Sequence, residues 1–137
     1  MLRRWSAAVL TAICGVLIAA AKISDGAPGT AALLMAGFLV LGFVLSPLAF
    51  PRATAAAADD RPVVYWRPGC VFCLRLRARL GADADRLRWV DIWKDPAAAA
   101  TVREITGGDE TVPTVVIGGQ GHVNPDPSWV RDQIVPA

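Results

Sequence analysis

From Met1 to Phe50 the chain carries only four charged side chains, Arg3, Arg4, Lys22 and Asp25. Everything else in that stretch is apolar, small or uncharged, so it cannot form the solvated surface of an ordinary soluble domain. Cysteine is scarce as well. Three in 137 residues (Cys14, Cys70 and Cys73) are too few for the disulfide framework of a small secreted protein. Histidine occurs once, as His122, which leaves little for a closed metal site built on imidazoles. Lysine is limited to two residues against 12 arginines, and the formal net charge is only +2. With no basic run interleaved with aromatics, no nucleic-acid partner is expected. The length allows one compact domain and something small beside it.

The uncharged N-terminal residues fall into two runs. Trp5 to Ala21, "WSAAVLTAICGVLIAAA", holds 17 residues, and Pro28 to Phe50, "PGTAALLMAGFLVLGFVLSPLAF", holds 23. As helices they would measure roughly 25 and 34 Å, so the second suffices to cross a bilayer and the first is marginal. "KISDGAP" between them supplies turn residues, and a two-helix transmembrane hairpin over residues 1–51 is the expectation. Ala32 and Ala36 on one helix, with Gly15 and Ala19 on the other, are the expected close-packing faces. Ser46–Pro47 should kink or end the second helix. The rival reading is a cleaved signal peptide: Arg3 and Arg4, an apolar run, then small residues. Cys14 lies mid-helix and reads as a packing residue.

"PRATAAAADDR" reads as a polar tether over 52–61, with a soluble domain over 62–137. There, short β-branched runs alternate with helical stretches. "VVYW" (63–66), "LRWVDI" (87–92) and "TVVIGG" (114–119) read as strands, with a short fourth around His122–Val123. "VFCLRLRARLGA" (71–82) has Phe72, Cys73, Leu76 and Leu80 at helical spacing and leaves Arg75, Arg77 and Arg79 for solvent. "DPAAAATVREITG" opens on Asp95–Pro96, a cap with a first-turn proline, and closes on Gly107. "DPSWVRDQIV" (126–135) is the last helix. The order β-α-β-α-β-β-α implies an α/β sandwich. Trp66, Trp89, Trp93 and Trp129 read as core or rim residues, and His122 as a surface strand residue.

"RPGCVFC", residues 67–73, carries the chemistry. Cys70 follows a strand and opens a helix, where unpaired backbone N–H groups and the helix dipole favour a thiolate. Arg67, and Arg75 if it folds back, push the same way. Two intervening residues suit a reversible disulfide across one turn. Zinc normally needs four ligands, and outside the pair only His122 and Cys14 remain, so no metal is expected. A static disulfide stays open, but the strand-to-helix context favours a redox pair, and the "TVP" of residues 111–113 strengthens it.

"YWRPGCVFCLRLR", "GGDETVPTVVIGG" and the "NP" before the last helix resemble the glutaredoxin family, most closely its actinobacterial mycoredoxin-like members. The resemblance covers about residues 62–136 and implies a thioredoxin-like (glutaredoxin) sandwich. It implies a catalytic pair in which Cys70 is the nucleophile and Cys73 the resolving cysteine. It further implies a cis bond before Pro113, turning the Val112 backbone toward the cysteines to pair with an incoming substrate. Beside the resemblance, Arg67 is a candidate substrate-binding residue, and Tyr65 or Trp66 would border the thiol pocket. Glutathione-using members carry an aspartate soon after the double glycine, whereas "GGQGHVNPDP" puts Asn124 and Pro125 near that place, with Asp126 beyond. That departure argues for mycothiol, which has no glutamyl group, as co-substrate with no bound cofactor.

The resulting expectation is a membrane-anchored thiol–disulfide oxidoreductase that reduces protein disulfides or protein–thiol mixed disulfides. A dithiol donor fed by a reductase, and a module bridging an iron–sulfur cluster through Cys70, are the alternatives. Arg3 and Arg4 before the first helix and Arg52 after the second put both ends, and the redox domain, in the cytoplasm of a multi-pass membrane protein.

Overall fold

The computed structural model describes residues 2–46, 48 and 61–135. The tether expected over 52–61 lies, apart from Arg61, outside the described residues, as do Pro47 and Arg52. The chain divides into two compact units, Met1–Phe50 and Pro51–Ala137.

In the first unit α1 (Leu2–Ser24) and α2 (Pro28–Leu45) pack against each other. The helix expected over 5–21 is longer, because nothing stops it before the turn at Asp25 and Gly26, where Lys22 Nζ pairs with Asp25 at 2.9 Å. The helix expected over 28–50 is shorter. Ser46 turns extended (ψ 158°), the conformation a following proline favours, and its hydroxyl donates to the Phe43 carbonyl at 2.6 Å. Gly15 and Ala19 are on the buried face, as expected, but Ala32 and Ala36 are exposed. The α2 face that meets α1 is instead the row of Ala31, Phe38 and Gly42. Ala31 is buried, a Cβ on Gly15 would stand 2.7 Å from the Phe38 Cβ, and Gly42 lies near the Ala8 carbonyl. Spacings of seven and four residues keep that row on one side of a helix, where Ala32 is rotated away by about 100°. Leu10, Leu17, Leu33 and Val40 point outward. Both helices are long and apolar enough to cross a membrane.

The second unit is a four-stranded sheet in the order β2-β1-β3-β4, with β1 Val63–Trp66, β2 Arg88–Asp91, β3 Thr114–Ile117 and β4 Gln120–Val123. β1 and β2 are parallel, so a crossover must join them, and α3 (Val71–Leu80) with the 3-10 turn Gly81–Arg86 provides it. β3 runs antiparallel to both β1 and β4. Its hairpin turns on Gly118 and Gly119 at φ 58° and 79°, the doubly positive pair that a two-residue type I′ turn needs. α4 (Pro96–Thr106) begins as the sequence predicts: the Asp95 carboxylate accepts from Ala97 and Ala98 N–H at 3.0 and 3.3 Å. It ends at Gly107 in the left-handed region. α5 (Pro127–Ile134) contacts α3.

The core is Val64, Trp66, Leu76, Leu80, Trp89, Val102, Val115 and Val130 with their neighbours. Trp89 is buried with its indole N–H satisfied by the Ala84 carbonyl at 2.9 Å, and Arg77 lies over its ring. Arg77 is therefore half-buried, not a plain solvent-facing residue. Phe72 departs from its expected core place and is 55% exposed. The buried stripe of α3 is Cys73, Leu76 and Leu80, and Phe72 lies one residue off it.

Where β4 crosses α4 the approach is close. A Cβ on Gly121 would fall 2.6 Å from the Ile105 Cγ2. Gly121→Ala is expected to cost about 1–3 kcal/mol through overpacking. The thermal midpoint should fall, and adding Ile105→Ala should recover part of the loss. An unchanged midpoint in the single variant would contradict this packing.

Candidate functional site

The chain leaves β1 at Trp66 and reverses in four residues. The Cys70 N–H donates to the Arg67 carbonyl at 3.3 Å, with Pro68 and Gly69 between them and Gly69 at φ 77°. Proline second and a positive-φ glycine third are the requirements of a type II turn. This turn delivers Cys70 to the N-cap of α3 in an extended conformation. Its sulfur takes the role that a serine or aspartate oxygen usually plays, accepting the Cys73 N–H at 3.2 Å. Cys70 and Cys73 are disulfide-bonded, with Cα atoms 5.3 Å apart. Cys73 is fully buried, whereas Cys70 is at the margin of the surface.

A second loop closes over the pair. The Val112–Pro113 bond is cis, and the Val112 carbonyl oxygen lies 3.4 Å from the Cys70 sulfur. The residues named from the sequence thus converge only in part. Cys70, Cys73, Val112 and Pro113 form one cluster. The Arg67 guanidinium instead stacks over the Trp93 ring, 5.6 Å from its centroid. Tyr65 stays half-buried in the sheet, in register with Val90 and Thr114. His122 stacks on Trp129 with centroids 4.5 Å apart. Among the described residues no group of three or more histidine, cysteine or acidic side chains could hold a metal ion.

Beside the pair a cavity of about 240 Å³ is lined by Phe72, Arg75, Leu76 and residues 124–127. Asn124 ends the hairpin at φ 45°, its N–H donating to the Pro113 carbonyl at 2.7 Å, which carries the following residues toward α3. The sequence puts Asp126 beyond the expected acidic position, yet it lines this cavity as the N-cap of α5, accepting from the Ser128 N–H at 2.8 Å. An aspartate is therefore present on the cavity wall. The reading missed it because the Asn124 bend that turns the chain back is invisible in residue spacing. Phe72 was missed as a cavity residue for the related reason that helical spacing alone assigned it inward. The Ser128 hydroxyl and N–H bonds hold the Asp126 carboxyl below its ordinary value of 3.8, with a smaller contribution from Arg75.

The glutaredoxin family model matches residues 63–123. Two proteins of Mycobacterium tuberculosis, from strains CDC 1551 and H37Rv, bear names that place them among the glutaredoxins. Each is 37% identical to this chain over 73 residues, which covers 53% of this chain and 87% of the relative. The match takes in the turn, both cysteines and the cis-proline loop.

The Asp126 titration checks the cavity wall. Its depressed value means its contribution to stability is present above 3.8 and lost as pH falls through the lower folded value. Carboxyl titration by NMR should give a midpoint below 3.8 that rises in Ser128→Ala. A midpoint at or above 3.8 in the unaltered chain would contradict the capping geometry.

Proposed function

Because this chain belongs to the glutaredoxin family and is a thiol–disulfide oxidoreductase, we propose that Cys70 is its nucleophile and Cys73 its resolving cysteine. Members of this family act on protein disulfides or protein–thiol mixed disulfides and use a small thiol as co-substrate. The observation that carries the assignment is the asymmetry of the pair: Cys70 caps α3 and keeps 9% of its surface exposed, whereas Cys73 keeps none.

In the first step the Cys70 thiolate attacks one sulfur of the substrate disulfide. A new S–S bond forms to Cys70, the old one breaks, and the departing thiolate takes a proton from solvent. The N–H groups at the start of α3 stabilise the charge before attack. Cys73 then loses its proton and attacks the Cys70 sulfur, releasing the bound half as a thiolate. The Cys70–Cys73 disulfide remains, with two electrons passed to the substrate. Two molecules of small thiol return the pair to the dithiol and leave as their disulfide. The Val112 backbone lines the approach to Cys70 as the contact for an incoming chain, with Pro113 fixing the loop. Arg67 and Tyr65 are border residues in this reading, Arg67 acting through its stack on Trp93.

The small thiol is proposed to be mycothiol. With Asp126 on the cavity wall, the choice of mycothiol does not rest on a missing aspartate. It rests on a wall that offers an amide (Asn124), a guanidinium (Arg75) and the flat apolar surfaces of Phe72 and Pro125, which suit a hydroxyl-rich sugar. The two apolar helices are proposed as a multi-pass anchor over residues 1–51, joined by a tether at 52–61 to a redox domain over 62–137. The Lys22–Asp25 pair neutralises the connecting loop, so Arg3, Arg4 and Arg52 dominate orientation and put the redox domain in the cytoplasm.

Three measurements test these statements. Cys73→Ser should trap a covalent protein partner or, if attack leaves the small thiol on Cys70, keep turnover at the expense of solution thiol, while Cys70→Ser does neither. Retained turnover in Cys70→Ser would sink the mechanism. Mycothiol mixed disulfides should turn over faster than glutathione ones, and the reverse order would remove mycothiol from the proposal. In intact cells, a variant whose only cysteine is Cys70 should resist an impermeant thiol reagent. Rapid labelling would reverse the topology.

A further inference from the structure

A second cavity, of about 340 Å³, adjoins the first and shares Arg75, Asp126 and Pro127 with it. Together they make one groove between α3 and α5, running from Phe72 beside the cysteine pair to Arg79 and Arg131 at its far end. Phe72, Arg75 and Arg79 follow at spacings of three and four along α3, so they lie on one helix face.

The charge along this groove is mostly positive. Arg131 is fixed: its Nε lies 3.4 Å from Asp83, and its Nη2 donates to the Arg79 carbonyl at the end of α3. Arg75 and Arg79 are exposed and form no ion pair among the described residues. The single carboxylate on the groove, Asp126, has Oδ1 engaged by the Ser128 N–H and hydroxyl at 2.8 and 2.5 Å. Two exposed guanidiniums therefore line a concave site whose near end is Phe72, the residue before Cys73. Nothing in the exchange chemistry uses them both.

Resting on the thiol-exchange reading of the pair, we propose that this groove, before the small thiol enters its near end, docks an extended segment of the protein substrate that carries an acidic residue near its reacting cysteine. The distance follows from helix geometry. From Cys70 to Arg75 and Arg79 the axis advances roughly 7.5 and 13.5 Å, which an extended chain covers in about two to four residues. The mixed signs decide the occupant. A peptide offers a carboxylate to Arg75 or Arg79 and backbone N–H groups to the Asp126 carboxylate. A phosphate headgroup has no donor for Asp126 and would be repelled by it. Phe72, 55% exposed at the near end, adds the apolar contact that protein interfaces favour and a lipid headgroup does not.

The test uses the full chain in a non-ionic detergent. Three short peptides bear one cysteine as a mixed disulfide with a small thiol, and differ only in having Glu, Gln or Lys three residues away. At low salt, kcat/KM should be higher for Glu than for Lys by about five-fold, the scale of one or two exposed ion pairs, and should approach parity in 0.5 M salt as screening shortens to ~4 Å. Arg79→Glu should invert the order, while turnover of a small disulfide with no peptide stays unchanged. Equal rates on all three peptides, or an order that Arg79→Glu leaves intact, would overturn the docking inference alone. Failure on every peptide and on the small disulfide would overturn the thiol-exchange reading beneath it. If the peptides are not distinguished but turnover shifts between nanodiscs of phosphatidylcholine and of phosphatidylglycerol, the groove reads a headgroup, and the peptide assignment is wrong.

Discussion

The start of a helix leaves backbone N–H groups without partners, and here a sulfur satisfies one of them. Cys70 is the N-cap of α3, accepting from the Cys73 N–H, so the same hydrogen bond that begins the helix also reaches the sulfur proposed as nucleophile. A serine would cap the helix as well and do no redox chemistry. The two cysteines are chemically identical in the sequence, and the fold alone makes them unequal. One stands at the dipole's positive end with a small part of its surface exposed, the other one turn inside, in the buried stripe with Leu76 and Leu80.

The rest of the second unit serves to hold that helix end in place. The Pro68–Gly69 turn sets the angle at which the chain leaves β1. The parallel pairing of β1 with β2 requires α3 to lie across the sheet, which puts its N-terminus at the edge where β1 ends. The doubly positive Gly118–Gly119 turn lets β4 double back along β3, and Asn124 then bends the chain toward α3. Thus the two loops that flank this hairpin, at Val112–Pro113 and at residues 124–127, reach the first turns of α3.

Local chemistry was legible in the sequence, and long-range chemistry was not. The cysteine pair, the Pro-Gly approach, the Asp95–Pro96 cap with its closing Gly107, and the glycine hairpin all follow from rules that span a few residues, and each occurs where those rules put it. Four details depended on tertiary packing. Phe72 turned outward because the buried stripe of α3 lies one residue further on. Arg67 went to Trp93, a partner just past the end of β2. Ala31 replaced Ala32 as the contact with α1, since the choice among small residues depends on helix rotation. Asp126 came back to the cavity through a bend at a single positive-φ asparagine. Spacing along a chain carries none of this information.

The central claim is that position on α3 makes Cys70, and not Cys73, the reactive sulfur. The most direct measurement is competitive alkylation of the freshly reduced full chain near neutral pH, with iodoacetamide limiting and each cysteine quantified by mass spectrometry. The account predicts that Cys70 is modified first and Cys73 only slowly, since alkylation requires both a thiolate and access. Equal modification of the two, or earlier modification of Cys73, would contradict it.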